Sequence, residues 1–248
     1  MEPMEPMKSD KKALALEKVE IVAEKHVADF RDGYLGLYRW TLRSTYQDGT
    51  TSPLYPCDVV DRAGLDAVAV VIYAIYPDTR TVKVLLRDTL RPGLLLRERR
   101  DLPMPESRER PMTWEIVAGV IEPGEAGQTA INRRAAMEVE EEAGFKIFAP
   151  AVTDLGAAIM PTPGPFPEKI YLKAVEVDPD EQGTPLGDGS PMEEGCRLEW
   201  FELADAIQMC VNGRIEDAKT EIALRRLAQR LGFLPDVGIW TDQIDKAK

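Results

Sequence analysis

The order of apolar and polar residues predicts a fold that mixes strands with helices. The run AVAVVIYAIY, which begins at Ala67, is apolar throughout, as expected of a strand buried on both faces. The turn PDTRT and the segment VKVLLRDTL follow it, so the two strands form a hairpin. Near the C-terminal end, DAKTEIALRRLAQRLG has helical periodicity and offers four apolar residues for burial, namely Ile222, Leu224, Leu227 and Leu231.

Another strand and another helix are indicated around these elements. Residues 34–46, YLGLYRWTLRSTY, are rich in aromatic residues and leucine and predict a strand. Residues 130–143 predict a helix, with Thr129 as its N-terminal cap and Gly144 as its C-terminal stop. Strands and helices do not alternate in a regular βαβ rhythm. We therefore predict an α+β fold, or a mixed sheet sandwiched by helices.

Composition narrows the range of partners. The 248 residues are 44% hydrophobic, which is enough for a substantial core, and the net charge is −12. A nucleic-acid partner is not expected, because binding to a phosphate backbone needs clustered Lys and Arg. A small anionic substrate remains compatible with this charge, since a bound metal ion can neutralise it. The start lacks the apolar core of a signal peptide, and no apolar run reaches membrane-spanning length, so we expect a cytoplasmic protein without a membrane partner.

Cysteine and histidine contribute little to the predicted chemistry. Cys57, Cys196 and Cys210 show no paired spacing, which favours reduced thiols over a disulfide or a zinc site. His26 is the single histidine and lies in a polar stretch. A general base is therefore expected to be a carboxylate or a metal-bound water. No GxGxxG motif follows a strand and no GKS or GKT occurs, so known dinucleotide and phosphate-loop motifs are not indicated.

The stretch with the clearest chemical signal is the acidic end of the predicted helix. Glu138, Glu141 and Glu142 are three and four residues apart, so they share one helix face. Carboxylates packed together repel one another unless a cation lies between them, and Mg²⁺ prefers oxygen ligands, with Mn²⁺ as the alternative. A run of glutamates is more often a solvated face. The preceding segment GVIEPGE, a strand end with a glycine loop, favours the metal-binding interpretation.

These residues resemble the Nudix hydrolase family. Its box runs Gly, five residues, Glu, seven residues, and then Arg-Glu-U-x-Glu-Glu-x-Gly-U, where U is bulky and apolar. The matching positions are Gly119, Glu125, Glu138, Val139, Glu141, Glu142, Gly144 and Phe145.

This sequence departs from the box at two places. Eleven residues instead of seven precede the arginine slot, and the slot holds Met137. Four more residues amount to about one helical turn, so the acidic face keeps its direction. The family's arginine holds the catalytic glutamates in place. Arg134, four residues before Glu138, is our candidate to supply that charge from the preceding turn.

The similarity extends to the ADP-ribose pyrophosphatase (ADP-sugar diphosphatase) subfamily. WEIVAGVIEPGE and LLRDTLRPG resemble its segments before the box, and RIEDAKTEIALRRL resembles its last helix. IMPTPGPFPEK resembles its specificity loop, with Pro161 sixteen residues past the box. The resemblance covers roughly residues 30–232. It implies a Nudix fold with an N-terminal antiparallel β-domain, in which subunits exchange segments in a homodimer.

Residues 1–12 offer little to bury, so they are expected to be a disordered tail. The resemblance implies that residues 13–62 are a β-rich region for dimerisation and substrate binding, with the Nudix hydrolase domain at 63–235 and a C-terminal tail at 236–248. Mg²⁺ would be held by Glu138, Glu141, Glu142 and the carbonyl of Ala118. A glutamate of a later loop, Glu194 or else Glu193, would complete the site as ligand or base.

Substrate contacts are also implied by the subfamily. Arg91 would bind phosphate, and Glu115 and Pro161 would help to define the substrate. Tyr38 and Trp40 would stack on adenine, although aromatic strand residues are more often core. Arg91 and Glu115 are equally consistent with an ordinary surface ion pair.

Three functions remain open on the sequence. The first is hydrolysis of ADP-ribose to AMP and ribose 5-phosphate. The second keeps this chemistry for another ADP-sugar, GDP-mannose or a dinucleotide. The third is a non-catalytic Nudix module that binds ADP-ribose-like ligands and regulates a partner. This alternative is suggested by Met137 in the arginine slot and by the longer spacing between Glu125 and that slot.

Overall fold

The computed structural model describes residues 15–29, 33–104, 111–187, 189 and 196–244. The chain divides into two compact units. The N-terminal unit comprises Met1–Ala63 and Thr162–Pro167, and the second unit comprises Gly64–Pro161 and Glu168–Lys248. Within the described residues, no helix is both long and apolar enough to span a membrane.

The N-terminal unit contains an antiparallel sheet of three strands, β1 (Leu16–Ala28), β2 (Gly36–Tyr46) and β3 (Tyr55–Asp61), in that order. Strand β2 confirms the strand predicted at residues 34–46. All 13 residues of the edge strand β1 are exposed. The loop Thr162–Pro167 packs in this unit, where the Val60 N–H donates to the Pro165 carbonyl at 2.7 Å.

The second unit contains the remaining elements. Its main strands are β4 (Ala67–Tyr76), β5 (Thr81–Leu90), β6 (Met112–Glu115), β7 (Val117–Val120), β8 (Thr153–Asp154), β9 (Ile170–Glu176) and β10 (Arg197–Glu202). Its helices are α1 (Gly127–Ala143), α2 (Leu203–Val211), α3 (Ala218–Leu231) and α4 (Thr241–Ile244). A short hairpin of β11 (Phe233–Leu234) and β12 (Ile239–Trp240) precedes α4. Short 3₁₀ turns occupy Pro92–Arg99, Ala149–Ala151 and Pro179–Glu181.

The main sheet is mixed. Its strand order is β10-β5-β4-β9-β8, with β6 beside β5 and β7 beside β4. Strand β4 runs parallel to β9, whereas the other pairings are antiparallel. The predicted α+β class and the predicted β4–β5 hairpin are both confirmed.

Strand β4 lies at the centre of the core and is buried on both faces, as its apolar sequence predicts. Ala69 and Val71 belong to a cluster that includes residues of α2 and α3. Val68 and Val70 belong to the opposite cluster, which includes residues of α1. The successive residues alternate because side chains of a strand point to opposite faces. Helices therefore cover both faces of this sheet. Of the four apolar residues predicted for burial on α3, Leu224 and Leu227 are buried in the first cluster, and Ile222 and Leu231 are partly buried and pack against it.

Helix α1 ends where the sequence predicts but begins earlier. Gly144 has left-handed dihedrals (φ 79°, ψ 12°), and its N–H donates to the Glu140 carbonyl at 3.0 Å. The predicted start at Ala130 with Thr129 as cap is wrong. The N-cap residue is Ala126, and Thr129 lies within the first turn. The helix follows almost directly after Glu125, so the extra residues of the box lengthen its N-terminal part rather than the loop.

Candidate active site

The carboxylate of Glu138 lies against the backbone of β7. This residue is only 9% exposed. A Cβ placed on Gly119 would lie 1.8 Å from Glu138 Oε1. A side chain at residue 119 would displace this carboxylate, so glycine is the residue that lets Glu138 lie here. Strand β7 and helix α1 thus form one surface that positions Glu138.

Glu142, one turn later on α1, is held from two strands. The Ala118 N–H of β7 donates to Glu142 Oε2 at 3.2 Å. Arg87 of β5 donates from Nη1 to Glu142 Oε1. The side chains of Arg87 and Glu142 are 8% and 12% exposed. Each carboxylate oxygen therefore has its own donor, in a largely water-excluded environment.

Arg134 lies on the same helix, beside Glu125 and Glu138 of the motif. Its Nε donates to Glu125 Oε2 at 3.1 Å, and its Nη1 lies 3.8 Å from Glu138 Oε1. Burial lowers the pKa of Arg134, but the hydrogen bond and charge of Glu125 outweigh that effect and raise it overall. Arg134 is therefore a permanent cation between these two acids, at the place where the sequence suggested a substitute arginine.

A second charged cluster surrounds Glu115 of β6, whose side chain is 4% exposed. Arg91 donates to both oxygens of Glu115, from Nε at 2.7 Å and from Nη2 at 2.5 Å. Lys219 of α3 also donates to Glu115 and lies 3.0 Å from Asp217. Burial alone would raise the pKa of Glu115, but Arg91 and Lys219 hold this pKa below its ordinary value.

The two clusters are adjacent in the sheet, because Arg87 is directly opposite Glu115 in the β5–β6 register. The N-terminus of α3 is fixed to the same region, where the Ile116 N–H donates to Thr220 Oγ1 at 3.0 Å. Four elements therefore converge here, namely β5, the β6–β7 segment, α1 and α3.

A comparison with known families identifies the domain that carries these residues. The model of the NUDIX domain matches residues 77–226, which include Arg87, Glu115 and the whole acidic end of α1. The chain belongs to the Nudix family.

Three solved structures are similar to this chain at low sequence identity. The chain is 17% identical to a MutT/nudix family protein from Enterococcus faecalis (TM-score 0.36, 61% of this chain and 46% of that chain). It is 21% identical to the C. elegans Ap4A hydrolase in a binary complex (TM-score 0.38, 67% and 98%). It is 18% identical to the T. brucei MERS1–RNA complex chain (TM-score 0.38, 59% and 55%). The chain thus spans about half the length of the first and third of these proteins. No curated protein matches it.

The arginine slot of the Nudix box is not directed into the site. Met137 is 38% exposed. The cations that meet the box glutamates are instead Arg134, from the preceding turn, and Arg87, from strand β5.

The residues at this Nudix site fit a hard divalent cation. Glu138 and Glu142 supply carboxylate oxygens, the donor type that Mg²⁺ prefers. The cradle at Gly119 keeps one carboxylate beside the β7 backbone, and two guanidinium groups already lie next to these acids. Glu141 is half-buried, and its carbonyl accepts from the Gly187 N–H at 2.9 Å. Within the described ranges, His, Cys, Asp and Glu side chains form no preassembled group of three that could hold an ion.

The other predicted site residues are distributed differently. Pro161 is exposed and is the last residue of the second unit before the loop 162–167. Tyr38 and Trp40 lie on β2 of the N-terminal unit. There Tyr38 packs edge-to-face on His26, with ring centroids 4.4 Å apart, and Trp40 donates to Glu24 at 2.8 Å. Glu193 and Glu194 lie outside the described residues.

A cleft of about 790 Å³ lies beyond the C-terminal end of α1, lined in part by Tyr76, Lys146 and Glu176. Its lining does not include the acidic face of α1. The candidate site is therefore identified by its charged groups, not by cavity size.

Arg87 and Lys219 are site residues that the sequence reasoning missed. The signal for Arg87 was a charged residue inside the apolar strand VKVLLRDTL. Lys219 gave only a weak signal, one charge at the start of an amphipathic helix. Their partners are 55 and 104 residues away in the chain, so local pattern alone does not pair them.

Proposed function

We propose that this Nudix protein hydrolyses the pyrophosphate bond of a nucleoside diphosphate derivative, and that its substrate is ADP-ribose, giving AMP and ribose 5-phosphate. One observation carries the proposal. Of the box glutamates, Glu138 is buried and the side chain of Glu142 is only 12% exposed, and both lie against the backbone of Ala118 and Gly119 inside a Nudix domain. Buried carboxylates at such a position cost free energy unless a cation is part of their function or structure.

Mg²⁺, or Mn²⁺ in its place, would be held by Glu138, Glu141, Glu142 and the carbonyl of Ala118. Such an ion, when bound, neutralises charge on the pyrophosphate and lowers the pKa of an attacking water. The protein's own part is to hold these oxygens in place. The Ala118 N–H fixes Glu142, the missing side chain at Gly119 admits Glu138, and Arg134 lies between Glu125 and Glu138. In this proposal Glu194, or else Glu193, completes the site as ligand or base.

Arg91 is the proposed contact to the substrate's phosphates. Its Nε and Nη2 are held by Glu115, while Nη1 carries further N–H donors that this pair does not use. Because Glu115 is buried, it fixes the plane of a guanidinium whose side chain is half exposed. Charge-assisted bonds from arginine to phosphate are among the stronger polar contacts. Pro161 is proposed to bound the ribose end, and Tyr38 and Trp40 to stack on adenine.

We also propose that the protein is a homodimer that associates through strand β1. An edge strand with unpaired backbone groups is a ready template for another chain. Strand β1 is such an edge, and its exposed side chains include Val19, Ile21, Val22 and Val27. Association would cover this row of apolar residues.

A panel of substrates tests the proposed specificity. AMP, sugar phosphate and nucleotide products would be identified after incubation with Mg²⁺ and ADP-ribose, a second ADP-sugar, GDP-mannose or diadenosine tetraphosphate. ADP-ribose should have the highest kcat/KM. A much higher value for another compound would assign the same chemistry to that compound. ADP-ribose binding without Mg²⁺-dependent AMP formation would instead indicate the non-catalytic module.

A further inference from the structure

The residue in the arginine slot of the box is not the cation that meets Glu142. The Nudix box places an arginine where this chain has Met137, and that methionine is 38% exposed. We infer that Arg87 of strand β5 is the residue that positions Glu142 for metal binding and turnover. The inference rests on the proposed function, because it assigns Glu142 a place in the metal site.

The contacts of Glu142 divide between two strands. Its Oε1 accepts from Arg87 Nη1, and its Oε2 accepts from the Ala118 N–H at 3.2 Å. The β7 contact is a single neutral donor, whereas the β5 contact is a guanidinium. A charged donor to a carboxylate is roughly twice as strong as a neutral one. Arg87 is therefore the stronger of these two restraints on the rotation of this carboxylate.

The two arginines near the acidic face have different partners. Arg134 is engaged with Glu125 at 3.1 Å and approaches Glu138 at 3.8 Å. Arg87 is engaged with Glu142. Glu138 therefore lies near a cation of its own helix, whereas Arg87 reaches Glu142 from strand β5.

The place of Arg87 in the sheet makes its position firm. Strand β5 has β4 on one side and β10 on the other, and Arg87 itself pairs in register with Leu198 and with Glu115. Its side chain is 8% exposed, so water competes little for the guanidinium. Residues mounted on paired strands hold functional groups more closely than loop residues do.

Removal of Arg87 is expected to act on the orientation of the Glu142 carboxylate. Without Arg87, Glu142 Oε1 loses its charged hydrogen-bond donor, so the orientation of this carboxylate is less well fixed. Glu142 would then present its oxygens less precisely beside the Ala118 backbone. The defect is therefore expected to act through Glu142 and to vanish when Glu142 carries no charge.

The test uses the full chain with Arg87→Met, Arg87→Lys, Glu142→Gln and the double variant Arg87→Met/Glu142→Gln. Arg197→Met is the matched control, because it breaks the neighbouring pair between Asp88 of β5 and Arg197 of β10, at 2.9 Å. Mn²⁺ alone would be titrated by electron paramagnetic resonance, and circular dichroism would confirm that each variant is folded. ADP-ribose turnover would be measured in parallel.

Arg87→Met should weaken Mn²⁺ binding about tenfold and lower kcat on the order of 100-fold, the usual cost of losing the group that orients a metal ligand. Arg87→Lys should recover part of both losses, because lysine keeps the charge but not the planar fork. In the Glu142→Gln background, Arg87→Met should cause no further loss. Arg197→Met should match the wild type.

Unchanged or tighter Mn²⁺ binding by folded Arg87→Met would overturn the inference, as would losses that multiply in the double variant. Inactivity of the wild type toward ADP-ribose would count against the proposed function alone. The Mn²⁺ titrations and their dependence on Glu142 would still decide the role of Arg87.

Discussion

Glu115 and Glu142 are carboxylates with little access to water, and both are met by cationic side chains. Arg91 and Lys219 contact Glu115, and Arg87 contacts Glu142. An unpaired charge in such surroundings would be strongly destabilising, and Arg91 and Lys219 hold the pKa of Glu115 below its ordinary value. The candidate site is therefore built from acidic side chains with little access to water, each of them paired with a basic side chain.

Glu115→Gln tests the pairing of Glu115 with Arg91 and Lys219 through the pH dependence of the free energy of unfolding. The pKa of Glu115 is lowered in the folded state, so its unfolded form binds the proton more readily. Its contribution is therefore present above its ordinary pKa near 4.5 and is lost as the pH falls through the folded value. Removing the charge from this buried cluster should cost about 3 kcal/mol at pH 7.

Urea unfolding between pH 7 and pH 3.5 measures this effect. The wild type should lose stability more steeply than Glu115→Gln toward acid, so the two curves converge. Glu199→Gln, at an exposed position of β10, should follow the wild type. Parallel curves for the wild type and Glu115→Gln would show that Glu115 is not held ionised by its partners.

Helix α1 is the element that joins the core to the candidate chemistry. Its apolar face, with Ile131 and Val139, packs against the sheet, while Glu138 and Glu142 reach β7. The residues near its start make separate polar contacts. Gln128 and Asn132 bond to each other at 3.0 Å, and Asn132 accepts from the buried Lys173 at 2.8 Å. The longer N-terminal part of the helix is therefore anchored at its own end.

The C-terminal end of α1 gives a prediction for the whole element. Gly144 has φ 79°, and an added Cβ would lie 2.3 Å from the Gly183 carbonyl oxygen. Gly144→Ala should therefore destabilise the protein by about 2 kcal/mol or more, through backbone strain and this clash. Gly93→Ala is the control, because nothing lies within 4 Å of its added Cβ. Equal urea midpoints for the two variants would contradict the role of the Gly144 cap.

Much of this architecture was predictable wherever the signal is local. The apolar run of β4, the stop at Gly144 and the burial of Leu224 and Leu227 on α3 depend on neighbours in sequence, and the structure confirms them. The predicted start of α1 was wrong because the helix already begins at Gly127, with Ala126 as its N-cap, which places Thr129 within the first turn. Arg87 could not be placed, since its partner depends on the β5 register and on the packing of a helix 55 residues away. The roles of the site residues remain predictions.

At the scale of the whole molecule, two units share one chain. The N-terminal unit takes up the loop Thr162–Pro167, which follows Pro161 directly. The Arg62 guanidinium lies over the rings of Tyr34 and Phe166 at 5.7 and 5.4 Å, so this loop is an integral part of that unit. The loop that resembles the ADP-ribose specificity segment is therefore fixed by packing that begins immediately after Pro161.

Strand β1 carries the prediction about assembly. Light scattering coupled to size-exclusion chromatography should give the mass of a dimer for the wild type. Ile21→Lys should shift the protein to the monomer, because a charge on an edge strand opposes pairing. Phe148→Lys, at an apolar residue of the second unit that is 83% exposed, should remain dimeric. A monomeric wild type, or a dimeric Ile21→Lys, would contradict association through β1.

The most direct measurement is Mg²⁺-dependent hydrolysis of ADP-ribose by the wild type and by Glu142→Gln, with the products identified by mass. The wild type should form AMP and ribose 5-phosphate in equal amounts, and neither product when Mg²⁺ is chelated. Glu142→Gln, shown to be folded by circular dichroism, should be slower by at least about 100-fold. Formation of these products without Mg²⁺, or undiminished turnover by Glu142→Gln, would contradict the claim that the acidic face of α1 performs the reaction.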